Sequence, residues 1–274
     1  MPMSPRLLRP RASGPGAIVA ADADARAYIA AVNTADGQPL EVAVQQAIDA
    51  FVIGCKTNGI WSAIKASCIL MGARTLSGAL TPLVGAAPTP VNFAAGDYNR
   101  KTGIVGNGST KYINSNRNSN ADPQNSHHLS VYISVATMKG SSSCIIGAGG
   151  YNNNGSTRMA FPFGDSYGFF NNRSNNYVDA PSSLTVGLTA INRENSAGFS
   201  ARWGASGSAT TTLRGSSAPQ AVPTFVFADS GTTGTPQEHS PARLAFYSIG
   251  ESINMAQLNT RVSALYAAIG AGIP

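Results

Sequence analysis

From residue 89 onward, short apolar runs alternate with clusters of Gly, Asn and Ser, and this texture constrains the fold more than any other feature of the chain. Apolar runs too short for a helix, bounded by residues that favour turns, specify antiparallel strands. Candidate strands fall at 110–114, 128–137, 143–148, 157–163, 184–191, 198–203, 210–214, 224–228 and 243–249. Nine such strands predict two packed sheets. In the second of them Leu129, Val131, Ile133 and Val135 alternate with Ser130, Tyr132 and Ser134, so one face is expected to be apolar and the other to present hydroxyls.

Before this body the spacing becomes helical. Asp22 or Asp24 can cap a helix carrying Tyr28, Ile29 and Val32 that ends near Asp36-Gly37. A second helix is expected from Pro39, with Leu40, Val44, Ala47, Ile48 and Phe51 on one face and a stop near Gly54. A third is predicted from about Ile60 to Met71 through Trp61, Ile64 and Cys68, and the Gly and Pro cluster over 72–90 then breaks the pattern. Leu258, Val262, Leu265 and Ile269 predict a closing helix over 255–269. The expected organisation is an extended arm over 1–16, a small helical region over 17–88 and a sandwich over 89–274.

Charged residues make up 12% of the chain, against about 25% in an average soluble protein, so the surface is largely neutral and polar. The net charge of +6 does not form a stripe: Arg6, Arg9 and Arg11 lie in the first residues and the rest are scattered, so no specific nucleic-acid partner is expected. The opening residues lack an apolar signal core and no stretch of about 20 apolar residues follows, so neither a signal peptide nor a membrane partner is expected. Cys55, Cys68 and Cys144 are odd in number and lack C-x-x-C spacing, which argues against a disulfide framework or a zinc site.

Five segments together resemble a group of phage virion proteins with a concanavalin A-like, or laminin-G-like, sandwich: PRLLRPRASG, the helical QPLEVAVQQAIDAFVIGCKTNGIWSAIKASCILMGARTLSGAL, GDYNRKTGIVGNGSTKYINSNRN, HHLSVYISV and RLAFYSIGESI. The likeness runs over nearly the whole chain and is weakest between 149 and 224. It implies a mainly β fold, an antiparallel sandwich of jelly-roll type with a small N-terminal helical region and a C-terminal helix. It also implies a place in a virion assembled in the bacterial host cytoplasm, as a tail fibre, another tail or baseplate appendage, or a capsid decoration. The expected partners are other virion proteins (portal, collar, tail, baseplate or capsid) and further copies of the chain, with a trimer as the expected state. Arg6, Leu7, Leu8, Arg9 and Arg11 are the candidate anchoring residues, an apolar pair between arginines suited to a neighbour's groove.

Concanavalin-like folds include glycoside hydrolases, which place two carboxylates about 5 Å apart for retention, usually on alternate residues of one strand. The glutamates, Glu41, Glu194, Glu238 and Glu251, are each isolated, and no candidate strand carries such a pair. His127 and His128 open a strand, where neighbours face opposite ways and cannot readily share a metal, and are expected to be exposed. Asp97, Asp122, Asp165, Asp179 and Asp229 lie in candidate loops but are dispersed, so calcium is a disfavoured option and no cofactor is expected. The chain is therefore expected not to be an enzyme. Its most suggestive polar features are the Asn-rich loops over 114–125, 152–154 and 171–176, with aromatic side chains close by. Carboxamides pair with sugar hydroxyls and aromatic rings offer flat apolar faces. Tyr151, Asn152, Tyr167, Phe169, Asn171 and Tyr177 are therefore the candidate glycan contacts.

Overall fold

The computed structural model describes residues 20–151, 153–163, 167–180, 183–205, 207 and 210–274. The anchoring candidates Arg6 to Arg11 lie outside them. Helix α1 (Ala23–Asp36) starts where the Asp22 carboxylate accepts the N–H groups of Asp24 and Ala25, and ends at Gly37 with φ 69°. Helix α2 (Val42–Thr57) buries Val44, Ile48, Phe51 and Val52 and runs one turn past Gly54. Gly54 does not stop it. A Cβ there would come 2.7 Å from Arg261 Nε, so the glycine lets the arginine lie against the helix.

The third predicted helix is replaced by a short 3-10 turn, Trp61–Ala63, and strand β1 (Ile64–Ile69). Its apolar spacing suits either structure, and what decides is a distant partner: residues 64–69 pair antiparallel with residues 246–250. A short helix α3 (Leu76–Ala79) follows. The remaining strands are β2 (Thr89–Val91), β3 (Tyr98–Asn99), β4 (Gly103–Val105), β5 (Tyr112–Asn118), β6 (His127–Val135), β7 (Ser143–Ala148), β8 (Ser156–Phe163) and β9 (Tyr167–Ser174). After them come β10 (Val178–Ala180), β11 (Gly187–Arg193), β12 (Phe199–Arg202), β13 (Thr210–Thr212), β14 (Pro223–Val226), β15 (Arg243–Gly250) and helix α4 (Met255–Gly272).

These strands form two antiparallel sheets, one ordered β13-β12-β11-β6-β15-β4-β3 with β1 also on β15, the other β10-β9-β8-β7-β14-β5-β2. The protein is thus a mainly β antiparallel sandwich with N-terminal helices and a C-terminal helix. Between the sheets pack Leu129, Val131, Ile133, Ile146, Met159, Phe170 and Val226, all less than 1% exposed. Removing each such side chain from water stabilises the fold by about 1.5–3 kcal/mol.

The hydroxyl-bearing face of β6 is covered as well. Tyr132 stacks on Tyr266 of α4 at 4.6 Å, and Phe246 of β15 meets Phe51 of α2 edge-on at 5.8 Å. Ser130 and Ser248 are buried beneath this helical layer with their hydroxyl oxygens 2.7 Å apart. None of the described helices is long and apolar enough to cross a membrane.

Candidate functional site

Phe170 points between the sheets, against Phe161 and Trp203 at 5.2 and 6.2 Å. Alternation along β9 therefore sends Phe169 to the outer face of the second sheet. The register sets Phe169 opposite Ala160 of β8 and Asp179 of β10. Tyr177, just before β10, meets Phe169 edge-on at 4.5 Å, and Tyr151, in the turn after β7, meets Phe169 at 5.4 Å and stacks on Tyr177 at 5.7 Å. Three of the predicted glycan contacts thus form one aromatic cluster, with Tyr151 and Tyr177 half-buried and Phe169 at its base.

Beside it lies a buried ion cluster. The Arg158 guanidinium carbon is 5.7 Å from the Tyr151 ring centre, and the side chain is 2% exposed. Its Nε is 3.5 Å from Asp229 Oδ2, and Nη2 donates to Glu238 Oε2. Asp229 Oδ1 accepts the N–H groups of Gly150 at 3.0 Å and Gly231 at 2.6 Å. Asp229 and Gln237 exchange two backbone hydrogen bonds, at 2.9 and 2.8 Å. The two acids therefore bracket one guanidinium and hold the 229–238 loop against β7 and β8, fixing the turn that carries Tyr151.

The other predicted contacts differ. Asn171 is 3% exposed and spends its carboxamide inside the β8–β9 hairpin, donating to Ser156 Oγ and the Ser174 carbonyl and accepting from Ser174 N and Oγ. It supports the hairpin and leaves no group for a ligand. The segment read as an Asn-rich loop over 171–176 is largely strand β9. Tyr167 opens that strand, its side chain lying outside the described residues, as do Asn152 and Asp165. The stretch Gly164-Asp165-Ser166-Tyr167-Gly168 has nucleophile-elbow spacing, yet it links two antiparallel strands rather than a strand and a helix.

His127 and His128 are buried rather than exposed, because the turn before α4 and the end of β9 close over them. As expected for neighbours in a strand, they face opposite ways: Nδ1 of His127 lies 3.2 Å from Asn172 Oδ1, and Nδ1 of His128 lies 2.5 Å from the Glu251 carbonyl. Around them the sequence reading missed a buried polar end of the sandwich. Arg193 donates to the carbonyls of Asn172, Asn195, Gly198 and Arg214, and Arg173 to those of Ser119, Asp122 and Pro123. The available signal was a lone arginine near the end of an otherwise neutral strand, in both β9 and β11. Among the described residues no three His, Cys, Asp or Glu side chains gather as a metal site. Asp97 pairs with Lys111, and Asp122 with Arg117.

No known family model matches the chain, and no curated protein matches it. Among solved structures, the botulinum neurotoxin serotype D binding domain is similar at 9% identity and a TM-score of 0.43, over 74% of this chain and 50% of that one. A GH54 α-L-arabinofuranosidase is similar at 11% identity and a TM-score of 0.41, over 65% and 43%. Tailspike protein 2 of a bacteriophage of Escherichia coli O157:H7 is similar at 13% identity and a TM-score of 0.38, over 66% and 26%. The chain spans half or less of the length of these three proteins. At such identities and scores the likeness says nothing of function.

Proposed function

We propose that this chain is a non-enzymatic, glycan-binding β-sandwich of a bacteriophage particle, displayed on a tail fibre or another tail or baseplate appendage. The observation that carries the binding role is the cluster of Tyr151, Phe169 and Tyr177 on the outer face of the second sheet. Flat rings with polar tips are suited to the C–H faces and hydroxyls of a sugar. The ion cluster behind them holds the Tyr151 turn in place, so little ordering is left to binding. Support for the virion setting comes from the segments that resemble phage virion proteins. In that setting residues 1–16, with Arg6, Leu7, Leu8, Arg9 and Arg11, dock onto a neighbouring virion protein, and the protein assembles as a trimer.

A glycan array probed with the full chain tests the binding role. Host-type glycans should be retained, and Tyr151→Ala and Tyr177→Ala should each weaken binding at least tenfold while the variants stay folded. Unchanged binding in both variants would sink this reading. Deleting residues 1–16 should abolish incorporation into particles and leave a folded sandwich; normal incorporation would remove the anchoring role.

A further inference from the structure

A recess lies where β11 and β12 meet the start of α4. It has a volume of about 390 Å3, and Asn192, Glu194, Ser200, Ser252, Asn254 and Ala256 line it. Small-molecule sites run from about 300 to 1,000 Å3. A smaller recess of about 190 Å3 shares Asn192, Glu194 and Ser200 and continues toward Thr211 and Leu213. Together they form one groove along the edge of the first sheet, sharing no residue with the aromatic cluster.

The groove is built rather than incidental. Asn192 is 2% exposed, its Oδ1 accepting from Ile253 N at 2.8 Å and its Nδ2 donating to Glu194 Oε1 at 2.9 Å. One buried carboxamide thus joins the two walls and fixes the glutamate, whose Oε2 has no partner among the described residues. Behind the Glu194 wall, the buried guanidinium of Arg193 ties down the carbonyls of Asn195, Gly198 and Arg214. On the other wall the Asn254 Oδ1 accepts from Ala256 N and Gln257 N, both at 3.1 Å, which leaves its Nδ2 as a donor. Ser200 adds a hydroxyl 3.1 Å from that of Thr211. Ile253 and Met255, 4% and 6% exposed, supply an apolar floor.

A preset carboxylate acceptor, a carboxamide donor and hydroxyls around an apolar floor fit a ligand with hydroxyls on its rim and C–H groups on its face. We propose that this groove is a second binding site, for a neutral saccharide unit whose hydroxyls donate to Glu194. The single uncompensated carboxylate disfavours acidic sugars and other anions, and one carboxylate is too few for a hard cation.

The test uses the full chain on an array of neutral oligosaccharides of glucose, galactose, mannose and N-acetylglucosamine, with sialylated counterparts. Calorimetric titration of the best neutral sugar then compares the wild type with Glu194→Gln, Ala256→Trp and Tyr177→Ala. Glu194 and Ala256 are exposed, so both groove variants should fold, with melting temperatures near wild type as the check. The expected result is at least a tenfold loss with Glu194→Gln, which replaces the open acceptor with a donor. Ala256→Trp, which fills the recess, should remove this binding, and Tyr177→Ala should leave it within twofold. Binding of no neutral sugar, or of neutral sugars unaffected by either groove variant, would overturn the inference. Loss with Tyr177→Ala alone would overturn it while supporting the aromatic cluster as the site.

Discussion

Acidification from pH 7 to pH 4 should weaken the fold through its buried histidines, and His128 sets the scale. Its Nδ1 lies 2.5 Å from the Glu251 carbonyl and its Nε2 lies 2.9 Å from Ser248 Oγ. A carbonyl only accepts, so Nδ1 carries the proton and Nε2 accepts from the Ser248 hydroxyl. Protonating Nε2 forces that hydroxyl to turn away and places a charge where water does not reach. Burial accordingly lowers the His128 pKa to about 4, against the Glu251 carbonyl, which favours the charged form. With a folded pKa below the unfolded value of about 6.5, the unfolded chain binds more protons between the two. Stability is therefore full above about pH 6.5 and falls as the pH drops toward 4. Linkage gives a loss of about 2 kcal/mol at pH 5 and about 3 kcal/mol at pH 4 from this residue. His127, also held well below its ordinary value by burial, acts in the same direction. Carboxylates such as Asp22, held below its ordinary range by Lys56, lose their contribution only at more acid pH. Urea denaturation at pH 7, 6, 5 and 4 measures the loss. His128→Gln should be less stable at pH 7 but show a shallower pH dependence. A flat profile in the wild type, or an unchanged slope in His128→Gln, would refute the reasoning.

Three further outcomes are expected. Arg193→Met takes the donor from four carbonyls, those of Asn172 and Gly198 buried and those of Asn195 and Arg214 partly so, and should cost at least about 3 kcal/mol in urea denaturation, with Arg193→Lys unable to restore the forked geometry; a loss below about 1 kcal/mol would contradict this. Gly155 has φ 75° and a Cβ there would lie 1.7 Å from the Ala218 carbonyl oxygen, so Gly155→Ala should lower stability by more than about 2 kcal/mol, read by thermal melting. Burial pushes the thiols of Cys55, Cys68 and Cys144 up to about 12, so Ellman's reagent should label them only after denaturant is added. Rapid labelling of the native protein would contradict their burial.

Much of the sandwich was legible because strand alternation and turn residues are local signals. The apolar residues of β6 up to Ile133 and the run of β7 stand in the sequence as they stand in the sheets, whereas Val135, expected on the same apolar face, is exposed at the strand's end, and α1, α2 and α4 follow their apolar spacing. What was lost depended on distant partners. Residues 64–69 read as helix because Trp61, Ile64 and Cys68 repeat at helical intervals, and only pairing with β15 makes them a strand. The histidines read as exposed because nothing near them in sequence announces the turn before α4 that covers them. Of the candidate glycan contacts, Tyr151, Phe169 and Tyr177 were named by residue type alone and the structure brings their rings together, whereas the Asn171 carboxamide is held inside the hairpin, because asparagine serves a hairpin as readily as a sugar. The groove at Asn192 and Glu194 was invisible, since its walls are about sixty residues apart in the chain and one of them is the start of a helix that folds back over the first sheet.

The binding role is tested most directly by amide and aromatic NMR shifts of the Ala256→Trp variant, whose groove beside α4 is filled, titrated with a glycan selected from the array. Shifts should cluster on Tyr151, Phe169 and Tyr177 and saturate with a single affinity at that face. Saturable binding that leaves those three residues unshifted, or the absence of any glycan-induced shift on the outer face of the second sheet, would contradict it.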